Sequence, residues 1–96
     1  MPKTRIKRDR AVQKYMTIST VCKLYRLHPQ TLLTYERRGL IGREVVILED
    51  GREAVTYNDR DRRRIRTICS LTRDLGVNLA GIEVILRLLD RLEDQF

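Results

Sequence analysis

The chain has 96 residues, with 20 Lys and Arg against 13 Asp and Glu and a formal net charge of +7. That length suits one domain with a modest core and leaves little room for a separate ligand-binding domain, so no small-molecule ligand is expected. No apolar run approaches a membrane span and no signal-peptide core follows the basic start, which excludes a membrane protein and points to the cytoplasm.

Residues 1–14, MPKTRIKRDRAVQK, hold six Lys or Arg against one Asp and lack an apolar period, so a flexible basic N-terminal arm is expected. The main domain then runs over residues 15–77. Ser19 is suited to cap a first helix over Thr20 to Tyr25, with Val21, Cys22 and Leu24 as its apolar side. Arg26 and Leu27 form the turn. His28 caps a second helix whose first position is Pro29, where a missing N–H costs nothing. Leu32 and Tyr35 face inward. Gly39 ends the helix in a left-handed conformation, and Leu40 and Ile41 fold back onto the core.

Asp50-Gly51 separates two β-prone runs and signals a hairpin over residues 43–57. A two-residue turn there sets Glu49 against Arg52 and Val46 against Val55. Val46, Leu48, Val55 and Tyr57 would then cover the helices, and Met16 to Ile18 could add a short third strand. Asn58 caps a third helix, with Asp59 and Asp61 in its first turn and Ile65, Ile68, Leu71 and Leu75 as its buried stripe. Gly76 stops it.

Asn78 opens the last segment, residues 78–96. Ile82, Ile85, Leu89, Leu92 and Phe96 recur at spacings of three, four, three and four, a seam suited to pairing helices. Packing on its own domain can absorb Ile82 and Ile85. Ile85, Leu89, Leu92 and Phe96 are the candidate interface of a homodimer.

Two short helices joined by a tight turn, the second polar outside and basic at its end, form a helix-turn-helix that can lie in a major groove. The excess of positive charge agrees, because neutralising phosphates releases counterions. Gln30, Thr31 and Thr34 are placed to reach base edges, and Arg37 and Arg38 to hold phosphates. Ser19, His28 and Tyr35 complete the candidate DNA-binding set, with Arg43 and Arg52 on the hairpin. Cys22 and Cys69 lie outside any metal-ligand spacing, so no metal and no cofactor is expected. With one His, no nucleophile elbow and no phosphate-cradling loop, the chain does not read as an enzyme.

HPQTL, YERRGL and GVNLAGIEVIL, within residues 16–89, carry a resemblance to the MerR family of bacterial regulators and, inside it, to the HspR heat-shock repressor branch. The resemblance implies a mainly α, winged helix-turn-helix fold with a small β-hairpin wing and a short C-terminal dimerisation helix. It also implies a dimer on an inverted-repeat promoter site, the wing on the flanking backbone, repression of chaperone genes, and the chaperone DnaK as a possible partner. The chain departs from that pattern at Leu33, where the family has a phosphate-holding Arg, and at Arg26, where it has the turn Gly. Residues 43–57 hold two arginines (Arg43, Arg52) against four acids (Glu44, Glu49, Asp50, Glu53), a net of −2. These departures resemble the CbpM-type chaperone modulators, which share the fold. That likeness implies a J-domain co-chaperone as partner, met by the acids of the wing.

Overall fold

The computed structural model describes residues 5–8 and 17–95. Two consecutive helices come early, α1 (Ile18–Tyr25) and α2 (Pro29–Arg37). Two strands follow, β2 (Arg43–Ile47) and β3 (Glu53–Tyr57), then the longer helices α3 (Asp59–Arg73) and α4 (Leu79–Asp94). Arg5–Arg8 forms a strand, β1, which pairs parallel with β2, while β2 and β3 run antiparallel. The sheet order is β1-β2-β3. The expected arm over residues 1–14 is thereby corrected at Arg5–Arg8, where the backbone joins the sheet.

Local chemistry sets most of the boundaries. The His28 Nδ1 accepts from the Gln30 N–H at 3.0 Å, and Pro29 occupies the first position of α2. Asn58 and Asn78 cap α3 and α4, accepting from Asp61 N–H at 2.8 Å and Gly81 N–H at 2.9 Å. Such caps satisfy backbone donors that have no partner inside the helix. Gly39, at φ +74°, lets the chain reverse so that the Leu40 N–H reaches the Tyr35 carbonyl at 2.9 Å. For α1 the cap is Thr17, not Ser19: the Thr17 hydroxyl accepts from Thr20 N–H at 3.2 Å, and Ile18 is already helical.

The core is a cluster of helical residues, Val21, Leu32, Tyr35, Ile65, Ile68, Ile82 and Leu86, closed by Leu40, Ile41 and Tyr57. Two residues expected on apolar faces lie outside it: Leu24 is 59% exposed and Leu75 is 70% exposed. Leu24 sits in the last turn of α1, and Leu75 lies two residues beyond the end of α3.

The hairpin differs from expectation by one residue of register. Val46 faces Ala54 and Val45 faces Val55, while Arg43 is opposite Tyr57. The turn is longer: Gly51 N–H donates to the Leu48 carbonyl at 3.0 Å, and Leu48 N–H to the Arg52 carbonyl at 2.8 Å. Glu49, Asp50 and Gly51 therefore form a three-residue loop, with Gly51 at φ +87° supplying the left-handed step. A slip of one residue exchanges faces. Tyr57 shares its face with Arg43 and joins the helical core, whereas Val46, though buried, lies outside that cluster. Thr17 bridges to Thr56 at the hairpin, and the Met16 end of the expected third strand lies outside the described residues. The architecture is a mainly helical winged helix-turn-helix.

Candidate nucleic-acid interface

The outer face of α2 follows from what its inner face buries. Leu32, Tyr35 and Glu36 are buried. Gln30, Leu33, Thr34 and Arg37, at the spacing i, i+3, i+4 and i+7, are left on the opposite side. Gln30 and Arg37 are exposed; Leu33 and Thr34 are half-buried. The Thr34 hydroxyl donates to the Gln30 carbonyl one turn back at 3.0 Å, so its polar group is used within the helix. Gln30 carries an exposed side-chain amide. Arg37 makes no ion pair among the described residues. The helix thus presents one amide, one methyl and one free guanidinium along a single face.

Several other candidates have different employment. Arg38 leaves α2 as its C-cap and pairs with Glu83 of α4 at 2.7 Å. Thr31 is half-buried and lines a shallow groove beside α2 with Thr34, Thr72, Val77 and Leu79. The His28 Nδ1 is used by the cap, which leaves Nε2 as the ring nitrogen available to an outside partner. Ser19 is exposed inside α1, two residues past the cap.

Tyr35 is not a surface residue. It packs in the core, and burial pushes its phenol above the usual tyrosine range, with the nearby Cys69 adding to the shift. Its phase on α2 puts it with Leu32, which removes it from the DNA-facing set. Arg43 is likewise turned inward. Its Nε donates to Glu36 Oε1 at 2.6 Å and its Nη2 to Glu36 Oε2 at 2.9 Å. Tyr57 donates its hydroxyl to the same Oε1 at 3.0 Å. That hydrogen bond to Glu36 raises the Arg43 pKa, and burial, then the adjoining carboxylate, push Tyr57 upward. Glu36 gave a signal that sequence reasoning passed over. A carboxylate in the inward phase beside Leu32 and Tyr35 requires a buried partner.

On the hairpin, Arg52 pairs with Asp50 at 2.6 Å across the turn, and the Arg52 backbone N–H, which donates to Asp50 Oδ1 at 3.0 Å, and then its guanidinium hold the exposed Asp50 carboxyl below its ordinary range. Glu44 is buried, so the acidic surface of the wing reduces to Glu49, Asp50 and Glu53.

The arginines of α3 mostly serve the fold. Arg60 and Arg64 both reach Asp90 of α4, at 3.1 and 2.6 Å, and Arg64 also donates to the Leu40 carbonyl. Arg62 pairs with Asp59, and Arg73 donates to the Arg26 carbonyl at 2.8 Å.

Along α4, Ile82 and Leu86 enter the core. Ile85 is half-buried, Leu89 is exposed, and Leu88 and Leu92 are 52% and 51% exposed. Phe96 lies outside the described residues. Leu88 belongs with the seam because positions 85, 88, 89 and 92 share one side of the helix.

Among the described residues no cluster of His, Cys, Asp or Glu could hold a metal ion, and no helix is long and apolar enough to cross a membrane.

Comparison with known proteins adds a family. The profile described as MerR HTH family regulatory protein matches residues 16–89. A Streptomyces coelicolor protein named for the heat shock protein HspR is 39% identical over 71 residues, which cover 74% of this chain and 44% of that protein. The chain thus spans less than half the length of this curated relative. No solved structure matches.

Proposed function

Since the chain belongs to the MerR helix-turn-helix family of regulatory proteins, we propose that it represses heat-shock or chaperone genes by binding an inverted-repeat promoter site as a dimer. In this reading α2 enters the major groove. Gln30 and the Thr34 methyl meet base edges, and Arg37 holds a phosphate. The carrying observation is the outer face of α2, where Gln30 and Arg37 are exposed and the half-buried Thr34 lies between them on one side of a capped helix. Dimerisation uses the apolar side of α4, Ile85, Leu88, Leu89 and Leu92. Two-fold symmetry then fixes the separation of the half-sites.

A titration of duplex promoter DNA containing an inverted repeat, read by fluorescence anisotropy at several salt concentrations, tests this. Binding weakens steeply with salt. Arg37→Ala lowers affinity for all sequences alike and reduces the salt slope by about 1. Gln30→Ala relaxes base discrimination at one position, by about 1–3 kcal/mol. Equal affinity for the repeat and for scrambled DNA would remove sequence-specific regulation.

A second reading rests on the wing. Glu49, Asp50 and Glu53 are exposed there, while Arg43 is turned inward and Arg52 is paired. Such a hairpin repels phosphates and suits a basic protein surface, such as a J-domain co-chaperone. Isothermal titration against a J-domain separates the two: heat that disappears in Glu49→Lys favours the protein partner, and no heat eliminates it.

A further inference from the structure

We propose that Glu83 is an electrostatic latch on the recognition helix, holding Arg38 away from DNA until a phosphate displaces it. This rests on the reading that α2 binds DNA. Arg38 stands one residue past the end of α2, next to the free Arg37, where a duplex backbone would pass. Its Nη1 donates to Glu83 Oε1 at 2.7 Å, across 45 residues of sequence. The Arg38 side chain is 51% exposed and that of Glu83 is 28% exposed, so water screens the pair and it holds the fold only weakly. A phosphate oxyanion competes for the same guanidinium on favourable terms, because its binding releases counterions. While the carboxylate stays in place, it cancels the Arg38 charge and repels an approaching phosphate.

The surroundings supply the alternative state. Glu83 lines a cleft between the end of α2 and α4 together with Arg64, Arg87 and Asp90. Asp90 already takes Arg64 and Arg60. Arg87 makes no ion pair among the described residues, and it follows Glu83 by four positions on the same helix. Glu placed four residues before a cation is the favourable order on a helix. A Glu83 carboxylate displaced from Arg38 therefore finds a second cation within its own helix, and release costs little. Glu83 is thus a positioning residue that acts through Arg38. Because α4 also carries the exposed apolar stripe, the latch joins the DNA-facing helix to the helix proposed for dimerisation.

The test is a salt series of DNA binding with four forms of the full chain: wild type, Glu83→Gln, Arg38→Ala and Arg38→Ala/Glu83→Gln. Asp94→Asn controls for net charge on α4, and Glu83→Ala serves as a second variant should Glu83→Gln fold poorly. Glu83→Gln is expected to bind about 1.5- to 5-fold more tightly at low salt, the free energy of an exposed ion pair that no longer has to open, and the gain shrinks as salt screens the pair. In the Arg38→Ala background the gain should vanish. No gain from Glu83→Gln, a gain that persists without Arg38, or an equal gain from Asp94→Asn would each overturn the latch while leaving DNA binding intact. Wild-type protein that binds no DNA at any salt removes both.

Discussion

Glu36 and Arg43 form a two-pronged ion pair at 2.6 and 2.9 Å, with the Glu36 side chain 1% exposed. The pair ties α2 to the first residue of β2, and Tyr57 ties both to β3 through the same carboxylate. Removing one partner leaves a buried charge uncompensated, which is far more costly than replacing both. Because the Arg43 side chain is 29% exposed, some of that cost is relieved by water. Arg43→Ala is expected to destabilise the fold by about 2–4 kcal/mol and lower Tm by about 10–20 °C in a thermal melt. The double replacement Glu36→Leu/Arg43→Met should regain much of the loss. An Arg43→Ala protein that melts like wild type would show that the pair holds nothing.

Stability should fall on the alkaline side. Burial, and then Glu36, raise the Tyr57 pKa above its usual value near 10, and burial raises Tyr35 too. The folded chain keeps these protons where the unfolded chain sheds them, so the unfolded state binds fewer protons as pH climbs past about 10. The stabilisation is complete below that pH and is lost as pH rises through the folded-state value. Denaturant midpoints measured from pH 8 to 11 should drop in the upper part of the range, and ultraviolet titration should show Tyr35 and Tyr57 ionising together with unfolding. A flat profile to pH 11 would contradict this.

Arg26 caps α1 at φ +54°, a left-handed conformation that crowds the Cβ of any residue but glycine. What the position contributes comes from its backbone: its N–H donates to the Cys22 carbonyl, and its own carbonyl accepts from Arg73. Arg26→Gly keeps both bonds and relieves the crowding, against a larger entropy loss on folding. A net gain of about 0.5–1 kcal/mol in urea unfolding is expected. A loss would mean that the Arg26 side chain contributes more than its backbone strain costs.

The apolar side of α4 can be separated from the core. Leu88 and Leu92 are about half exposed, while Ile82 and Leu86 are buried. Leu88→Glu/Leu92→Glu should therefore leave the melting temperature of a dilute sample nearly unchanged. It should move a dimer to monomer in sedimentation equilibrium. Wild-type protein sedimenting as a monomer at micromolar concentration would refute dimerisation through this face.

Elements whose chemistry is local could be read along the chain. His28-Pro29, Asn58 and Asn78 open helices, and Gly39 and Gly76 close them, as side-chain and backbone preferences at single positions dictate. The outward set Gln30, Thr34 and Arg37 also follows from helical phase. What escaped depends on partners distant in sequence. The hairpin register turned on whether Asp50-Gly51 or Glu49-Asp50-Gly51 forms the loop, a choice that short-range patterns leave open. Arg43 looked like a phosphate contact because its acceptor, Glu36, lies on another element, and Arg38 looked free because Glu83 is 45 residues away. Arg5–Arg8 carries three cations around Ile6 and offers no apolar alternation; its place beside β2 is a matter of backbone pairing.

With β1 along one flank and β3 along the other, β2 has both of its hydrogen-bonding margins occupied. Deleting residues 1–8 would strip one margin and leave a row of vacant amides and carbonyls, a template onto which a foreign strand can dock. A tag or trimmed start at the amino end therefore bears on solubility as much as on charge. Self-association seen only in shortened protein would belong to that bared margin and not to α4.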